Sequence, residues 1–220
     1  MSLDLKEKAN VKLSFFAKTE LENLNVEINV NGGAELNIYF ADFSFGLNNV
    51  NFIIRLKGPQ ARANFHLASL TSKTDKKTFT ISVNHEAENT FAKVDNYGVC
   101  KDNSKLLFAG TSWINKGCVK SSTYQSAKIM VFDQNCVATA KPSDASAKPI
   151  LKIDENDIIA NHAAVVGKVN DEHLFYLTSR GLSESQAKEI ITFGYLKPIL
   201  EGFVEDEVKE EISNMIEGRM

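Results

Sequence analysis

Up to Gly167 the hydrophobic and polar residues of this chain trade places at nearly every step; beyond it the hydrophobic residues recur at helical spacing. Alternation with period two marks strands buried on one face, and the longer spacing marks amphipathic helices. The change predicts a β body over residues 1–168 and a small helical subdomain over 169–220. Within the body, Asn25 to Asn31, Glu35 to Ala41, Asn51 to Lys57, Ala63 to Thr71, Thr78 to Asn84, Lys105 to Thr111 and Lys128 to Asp133 are short, alternating, and rich in β-branched or aromatic residues. Turn signals separate them, among them Asn31-Gly32-Gly33, Gly58-Pro59 and Asp102-Asn103. No element of helix length interrupts the strands, which disfavours a βαβ architecture.

Two all-β arrangements satisfy this pattern. A sandwich or barrel uses strands of this length, and so does a β-solenoid with one short strand per face and polar corners. The Asn and Gly residues at strand ends suit solenoid corners, but no strict hexapeptide or nonapeptide period runs through the chain. A solenoid also leaves open ends that need a cap or a partner.

The helical segment is punctuated clearly. Asn170-Asp171 predicts an N-terminal cap, Leu174, Phe175 and Leu177 an apolar face, and Arg180-Gly181 a helix stop. Ser183 with Gln186 forms a capping-box pattern that opens a second helix, and Pro198 breaks it. Past Pro198, Val204, Val208, Ile212, Met215 and Ile216 fall on one stripe opposite a face of Glu and Lys, so the last helix is amphipathic and can dock on something.

A formal net charge of −3 provides no electrostatic footprint for nucleic acid. No apolar run approaches the ~20 residues needed to cross a bilayer, and the charged start MSLDLKEKAN does not read as a signal peptide. No membrane partner and a cytoplasmic location are expected. Cys100, Cys118 and Cys136 are odd in number and widely spaced, which predicts reduced thiols, each behaving as a small buried hydrophobe unless chemistry claims it.

Catalytic and cofactor motifs are missing: there is no Walker lysine loop, dinucleotide-binding glycine fingerprint, HExxH or GxSxG. His85, Glu86 and Glu88 sit together, but strand alternation points His85 away from both carboxylates, and the group reads as a solvated face. His66 reads as a paired strand histidine and His173 as a surface residue. His162 stands apart, because it interrupts the apolar run Ile158 to Gly167 just before the pattern changes; a satisfied edge-strand or core position and a functional one are both open for it.

The ordered words around that change resemble the SufB/SufD family of SUF iron–sulfur cluster assembly proteins, the SufD branch more than the SufB branch. They are Lys148-Pro149-Ile150-Leu151-Lys152-Ile153, Asp154 to Asp157, Asn161-His162-Ala163-Ala164-Val165-Val166-Gly167, and Asp171 to Gly181, which reads DEHLFYLTSRG. Upstream, Asn51 to Thr71 and Ser122-Thr123-Tyr124-Gln125 resemble further family segments.

The resemblance implies a right-handed parallel β-helix body with a small C-terminal α-helical tail, serving as a scaffold rather than a catalyst. It implies pairing with SufB, or with itself as a homodimer, through the end of the β-helix, and binding of the SufC ATPase by the C-terminal helices. On that basis Ile158, Ile159, His162 and Val165 are expected in the dimer contact, and Val204, Val208, Ile212 and Ile216 in SufC docking. No tightly bound cofactor is expected; a transient iron or nascent iron–sulfur cluster is, with His162 and Cys136 as the residues that would touch it.

Departures accompany these matches. Relatives often carry a cysteine two residues before the histidine, where this chain has Ala160, and a glycine where it has Ala163. Cys136 matches a SufB-type cysteine when Lys141 to Ala147 is read as an inserted, mobile corner. The family also has a helical region before the β-helix, whereas this chain starts almost directly in strand pattern, as a shortened chain or a naturally brief relative would. A SufB-like scaffold that itself carries the cluster is the first alternative. A β-solenoid carbohydrate-active enzyme is a remoter one, disfavoured because Asp and Glu do not recur in register along the strands.

Overall fold

The computed structural model describes residues 1–132 and 144–219. The chain forms a parallel β-solenoid of about five turns followed by three short α-helices. One six-stranded sheet holds β1 (Ser2–Leu5), β3 (Glu22–Val30), β5 (Leu47–Leu56), β7 (Lys76–His85), β9 (Lys105–Ile114) and β11 (Asp144–Ile153), in that order. The other holds β2 (Asn10–Ala17), β4 (Glu35–Asp42), β6 (Arg62–Thr71), β8 (Phe91–Lys101), β10 (Ser121–Phe132) and β12 (Ile158–Lys168). Each coil therefore places one strand in each sheet, and every strand pairs in parallel with the strand one coil away.

This winding explains the alternation. Parallel strands covered on both faces read as continuous apolar runs. Here most strands bury only the face that looks into the solenoid, so they alternate as antiparallel strands do. Inward residues stack into columns, for example Ile28, Ile54 and Val83 across β3, β5 and β7. At the centre Phe40, Phe52, Phe65, Phe79 and Phe108 are fully buried and meet at centroid separations of 4.9 to 6.1 Å. Each such side chain contributes roughly 1.5–3 kcal/mol of transfer free energy.

The corners stack as well. Lys8, Gly33, Gln60, Asn89 and Lys120 all take left-handed backbone conformations, and their N–H groups donate to the carbonyls of Gly32, Pro59, Glu88, Val119 and Asp157 on the following coil at 2.6–3.2 Å. Glycine is required beside this column at Gly58, where a Cβ would meet the backbone N of Gly32 at 2.1 Å. Residues Asp144 to Ala147, expected in a mobile inserted corner, instead begin β11 and pair with Lys105 to Phe108, with Ala145 and Ala147 packed on the core. The rest of that expected corner lies outside the described residues. Pro149 is accommodated because β11 is an edge strand, where a missing donor leaves no ladder bond unmade.

The helices α1 (Asp171–Ser179), α2 (Glu184–Leu196) and α3 (Asp206–Glu217) follow the predicted punctuation. Asn170 caps α1, Ser183 and Gln186 form the capping box of α2, and Pro198 lies in a 3-10 turn, Lys197–Gly202, that follows α2. The tail lies along the outer face of the even-strand sheet. There Ala41, Phe43, Ala68, Leu70, Val99, Met130 and Phe132 pack against Leu196, Ile199, Phe203, Ile212 and Ile216. Edge-to-face ring pairs join Phe16 to Phe203 and Tyr97 to Tyr195.

This packing corrects the expectation for the last helix. Ile212 and Ile216 are 0% exposed, buried against the solenoid flank, and Val208 packs beside them. Their amphipathic stripe is covered within the chain. Val204 alone of the four stands clear, at 75% exposure.

Candidate functional site

The last coil forms the distinctive surface. β12 is hydrogen-bonded along its length to β10, from Ser121 opposite Ile158 to Val131 opposite Lys168, and among the described residues no strand pairs with its other edge. β11 is likewise terminal in its sheet. An edge of this kind presents unpaired N–H and C=O groups to any strand that can reach them.

Side chains on β12 divide between two faces. Register puts Ile158, Ala160, His162, Ala164 and Val166 on the face that continues the solenoid interior, and Ile159, Asn161, Ala163 and Val165 on the outer face. Ile159 and Val165 are each 56% exposed, and Val166 and His162 are exposed as well. The apolar run that His162 interrupts is thus an uncovered edge among the described residues.

His162 ends a column that begins apolar. Ile38, Phe65, Val94, Gln125 and His162 occupy one register position across β4, β6, β8, β10 and β12. The interior turns polar in the last coils. Gln125 donates to the Ser112 hydroxyl at 2.5 Å and to the Ile150 carbonyl at 3.3 Å, and Thr123 donates to Ser112 at 2.9 Å. Gly110 leaves room for this amide, since a Cβ there would lie 2.7 Å from Gln125 Oε1, an atom that is buried without a hydrogen-bond partner. Gln125 belonged to a recognised sequence word but carried no assigned role; its place beneath His162 follows from strand register.

The other singled-out residues sort by burial. His85 is fully buried, its Nδ1 lies 2.8 Å from the Thr90 hydroxyl, and burial pushes its pKa down to about 4. The solvated face expected there applies to Glu86 and Glu88, while His85 turns into the core. His66 stacks on Tyr39 at 4.8 Å and lies 3.8 Å from Asp95; burial nevertheless holds its pKa below the ordinary histidine value. His173 is exposed. Cys100 and Cys118 are buried, and burial pushes the Cys118 thiol up, which makes it a poorer nucleophile. Cys136 lies outside the described residues.

Among the described residues no group of three or more His, Cys, Asp or Glu side chains could hold a metal ion. Taken alone, the last coil offers one imidazole on an edge built for pairing, above a short polar interior. No helix among the described residues is long and apolar enough to cross a membrane.

Residues 1–195 match the family model described as SUF system FeS cluster assembly, SufBD core domain. The chain is 29% identical over 144 residues to the iron–sulfur cluster assembly protein SufD of Bacillus subtilis, covering 66% of this chain and 31% of that protein. It is 27% identical over 143 residues to SufB of the same organism, covering 65% and 29%. A SufBD family protein of Mycobacterium tuberculosis is 31% identical over 115 residues, covering 52% of this chain and 13% of its own length. The chain thus spans less than a third of the length of these relatives. With a family model matched over residues 1–195, the chain belongs to the SufBD core family of SUF iron–sulfur cluster assembly proteins.

Proposed function

We propose that the chain is a SufD-like, non-catalytic scaffold of the cytoplasmic SUF machinery that pairs through its last coil and handles iron or a nascent cluster only as passing cargo. One observation carries this reading: β12 is satisfied on one side and open on the other, and it displays Ile159, Val165 and His162 on the open coil. Addition of a partner strand to such an edge gives main-chain hydrogen bonds, while exposed apolar side chains give contact area and register. A SufB subunit, or a second copy of this chain, is the proposed partner.

His162 would then lie at the subunit seam. An imidazole alone is a weak, pH-sensitive metal anchor. The remaining ligands must come from across the seam or from Cys136. Thiolate is the usual iron–sulfur ligand and histidine an occasional replacement.

The tail is the proposed SufC contact, through a different surface from the stripe expected on α3. Phe175 and Tyr176 on α1, Ile190 on α2 and Val204 remain exposed. Val204 and Val208 also line a groove of about 460 Å³ with Phe16 and Phe203.

The test is anaerobic co-expression with SufB and SufC, followed by light scattering and an absorption spectrum of the purified complex. A complex that forms with the parent chain and fails with Val165→Glu supports the reading. A chain that stays monomeric alone and binds neither protein overturns it.

A further inference from the structure

The flank beneath the tail contains a buried charge arrangement that the scaffold reading does not use. Asp42, at the end of β4, and Asp75, in the turn before β7, are 0% and 4% exposed. Lys77 is the buried solenoid cation beside them: its ammonium donates to Asp42 Oδ1 at 2.7 Å. Asp42 is saturated, accepting also from the Ser44 N–H and hydroxyl and from Asn48. Among the described solenoid residues, Asp75 receives backbone donors only, the N–H groups of Gly46 at 2.8 Å and Ser72 at 2.9 Å. With the tail docked, both carboxylates are thus buried, and the described solenoid residues set one buried ammonium beside them.

The second cation comes from the tail. Arg219, just past α3, is buried, and its guanidinium donates to the carbonyls of Phe43 (2.6 Å) and Ser44, to the Ser72 hydroxyl (3.1 Å) and to Asp75 Oδ2. Its plane lies over the Phe45 ring, 3.9 Å from the centroid. We propose that the solenoid flank carries a guanidinium-accepting pocket, formed by Asp75, Ser72, Phe45 and the carbonyls of Phe43 and Ser44, that clasps the helical tail through Arg219.

The chemistry selects this ligand class. Several acceptors arranged around one edge of an aromatic ring suit a planar fork of donors that can also stack, and an ammonium is a single compact charge that cannot address them together. With the tail in place Arg219 is the counter-ion of Asp75, and removing the guanidinium while the tail stays docked would leave a buried carboxylate unpaired, which is costly. The clasp also fixes α3 from its far end. The 3-10 turn pins the near end, where Ser14 donates to the Gly202 carbonyl at 2.6 Å. Between these two anchors Ile212 and Ile216 stay buried. Whether that stripe is covered or presented depends on Arg219 staying in place, and this does not rest on any role in cluster assembly.

Hydrogen exchange with chemical rescue tests the pocket. In Arg219→Ala, amides of α3 should exchange at least about tenfold faster while β4 to β7 keep their protection. Low-millimolar methylguanidinium, far below denaturing concentration, should return α3 of that variant toward parental exchange, and sodium chloride at equal ionic strength should not. Arg219→Lys should behave like the alanine variant. Unchanged α3 exchange in Arg219→Ala, or restoration by salt as good as by methylguanidinium, overturns the proposal. Should Arg219→Ala fail to fold, Phe45→Leu serves instead: it removes only the partly exposed stacking platform and should quicken α3 exchange several-fold, and no change there likewise overturns the pocket.

Discussion

Gly202 in the 3-10 turn lies against the Tyr39 ring so closely that a Cβ added to it would sit 2.2 Å from Tyr39 Cγ. Tyr39 cannot easily give way, because it is stacked on His66 and carries the Lys12 ammonium 5.0 Å from its centroid. Gly202→Ala should therefore lift the tail from the sheet and cost roughly 1–3 kcal/mol, the usual scale of overpacking. Gly194, within α2, has nothing within 4 Å of an added Cβ, so Gly194→Ala should stabilise by up to ~1 kcal/mol through helix propensity. Urea unfolding of the two variants checks both signs.

Truncating the buried stripe should be costly. Ile212→Ala is expected to lose about 2–5 kcal/mol, whereas Val204→Ser should stay within ~0.5 kcal/mol of the parent. Deleting the residues after Phe203 should lower the thermal midpoint and induce binding of a hydrophobic dye to the bared flank. An unchanged melting curve for the deletion would show that α3 contributes nothing to the fold.

On the open coil the reverse pattern is expected. Val165 is exposed, so Val165→Glu should leave unfolding within ~0.5 kcal/mol of the parent while abolishing pairing. Light scattering at micromolar concentration measures the second effect and urea titration the first.

Acid should weaken the solenoid through His85. Its folded pKa of about 4 lies below the ordinary 6.5, so the unfolded chain binds the extra proton between those values. Its contribution is fully present above pH 6.5 and is lost as pH falls toward 4, with a ceiling on the order of 3 kcal/mol. Unfolding free energies measured at pH 7.5 and 5 should differ for the parent, and by less for His85→Gln.

In the co-purified complex, Cys136→Ser should reduce iron retention more than serine at Cys100 or Cys118, because both of those are buried. His162→Ala should impair cluster formation and leave SufC binding intact. Iron quantitation with the absorption spectrum reads both, and a complex unaffected by either substitution would move the chemistry wholly to the partner.

Most of the winding was legible because each coil repeats a one-sided burial that alternation reports directly. What alternation does not report is which face is inside. His85 and Glu86 were separated correctly, yet only register shows that the histidine points into the core. Nor could the sequence say whether a solenoid or a sandwich received those faces, since both bury one side of each strand. The Ile212 and Ile216 stripe was visible as a stripe, but an amphipathic helix does not announce what covers it. Asp75 and Arg219 were least legible of all. Charged residues far apart in sequence ordinarily read as surface, and only the packed tail brings them together. At the candidate site, His162 stood out because a polar residue interrupts an apolar run, whereas Gln125 gains meaning only from lying opposite it on the adjacent strand.

The path of the tail bears on how the molecule comes apart. Stacked-coil proteins hold each rung mainly through its neighbours, so they tend to fray from the ends and unravel stepwise. Here the polypeptide leaves the final rung at Val169, whose N–H donates to Val131, passes Tyr97 on β8 and reaches the first rung, where Lys18 meets Glu211. A strand at one extremity is thus joined, through the loosely held α1, to the segment that packs across the stack as far as the other. The tail works as a brace across a modular stack, touching rungs that share no contact of their own.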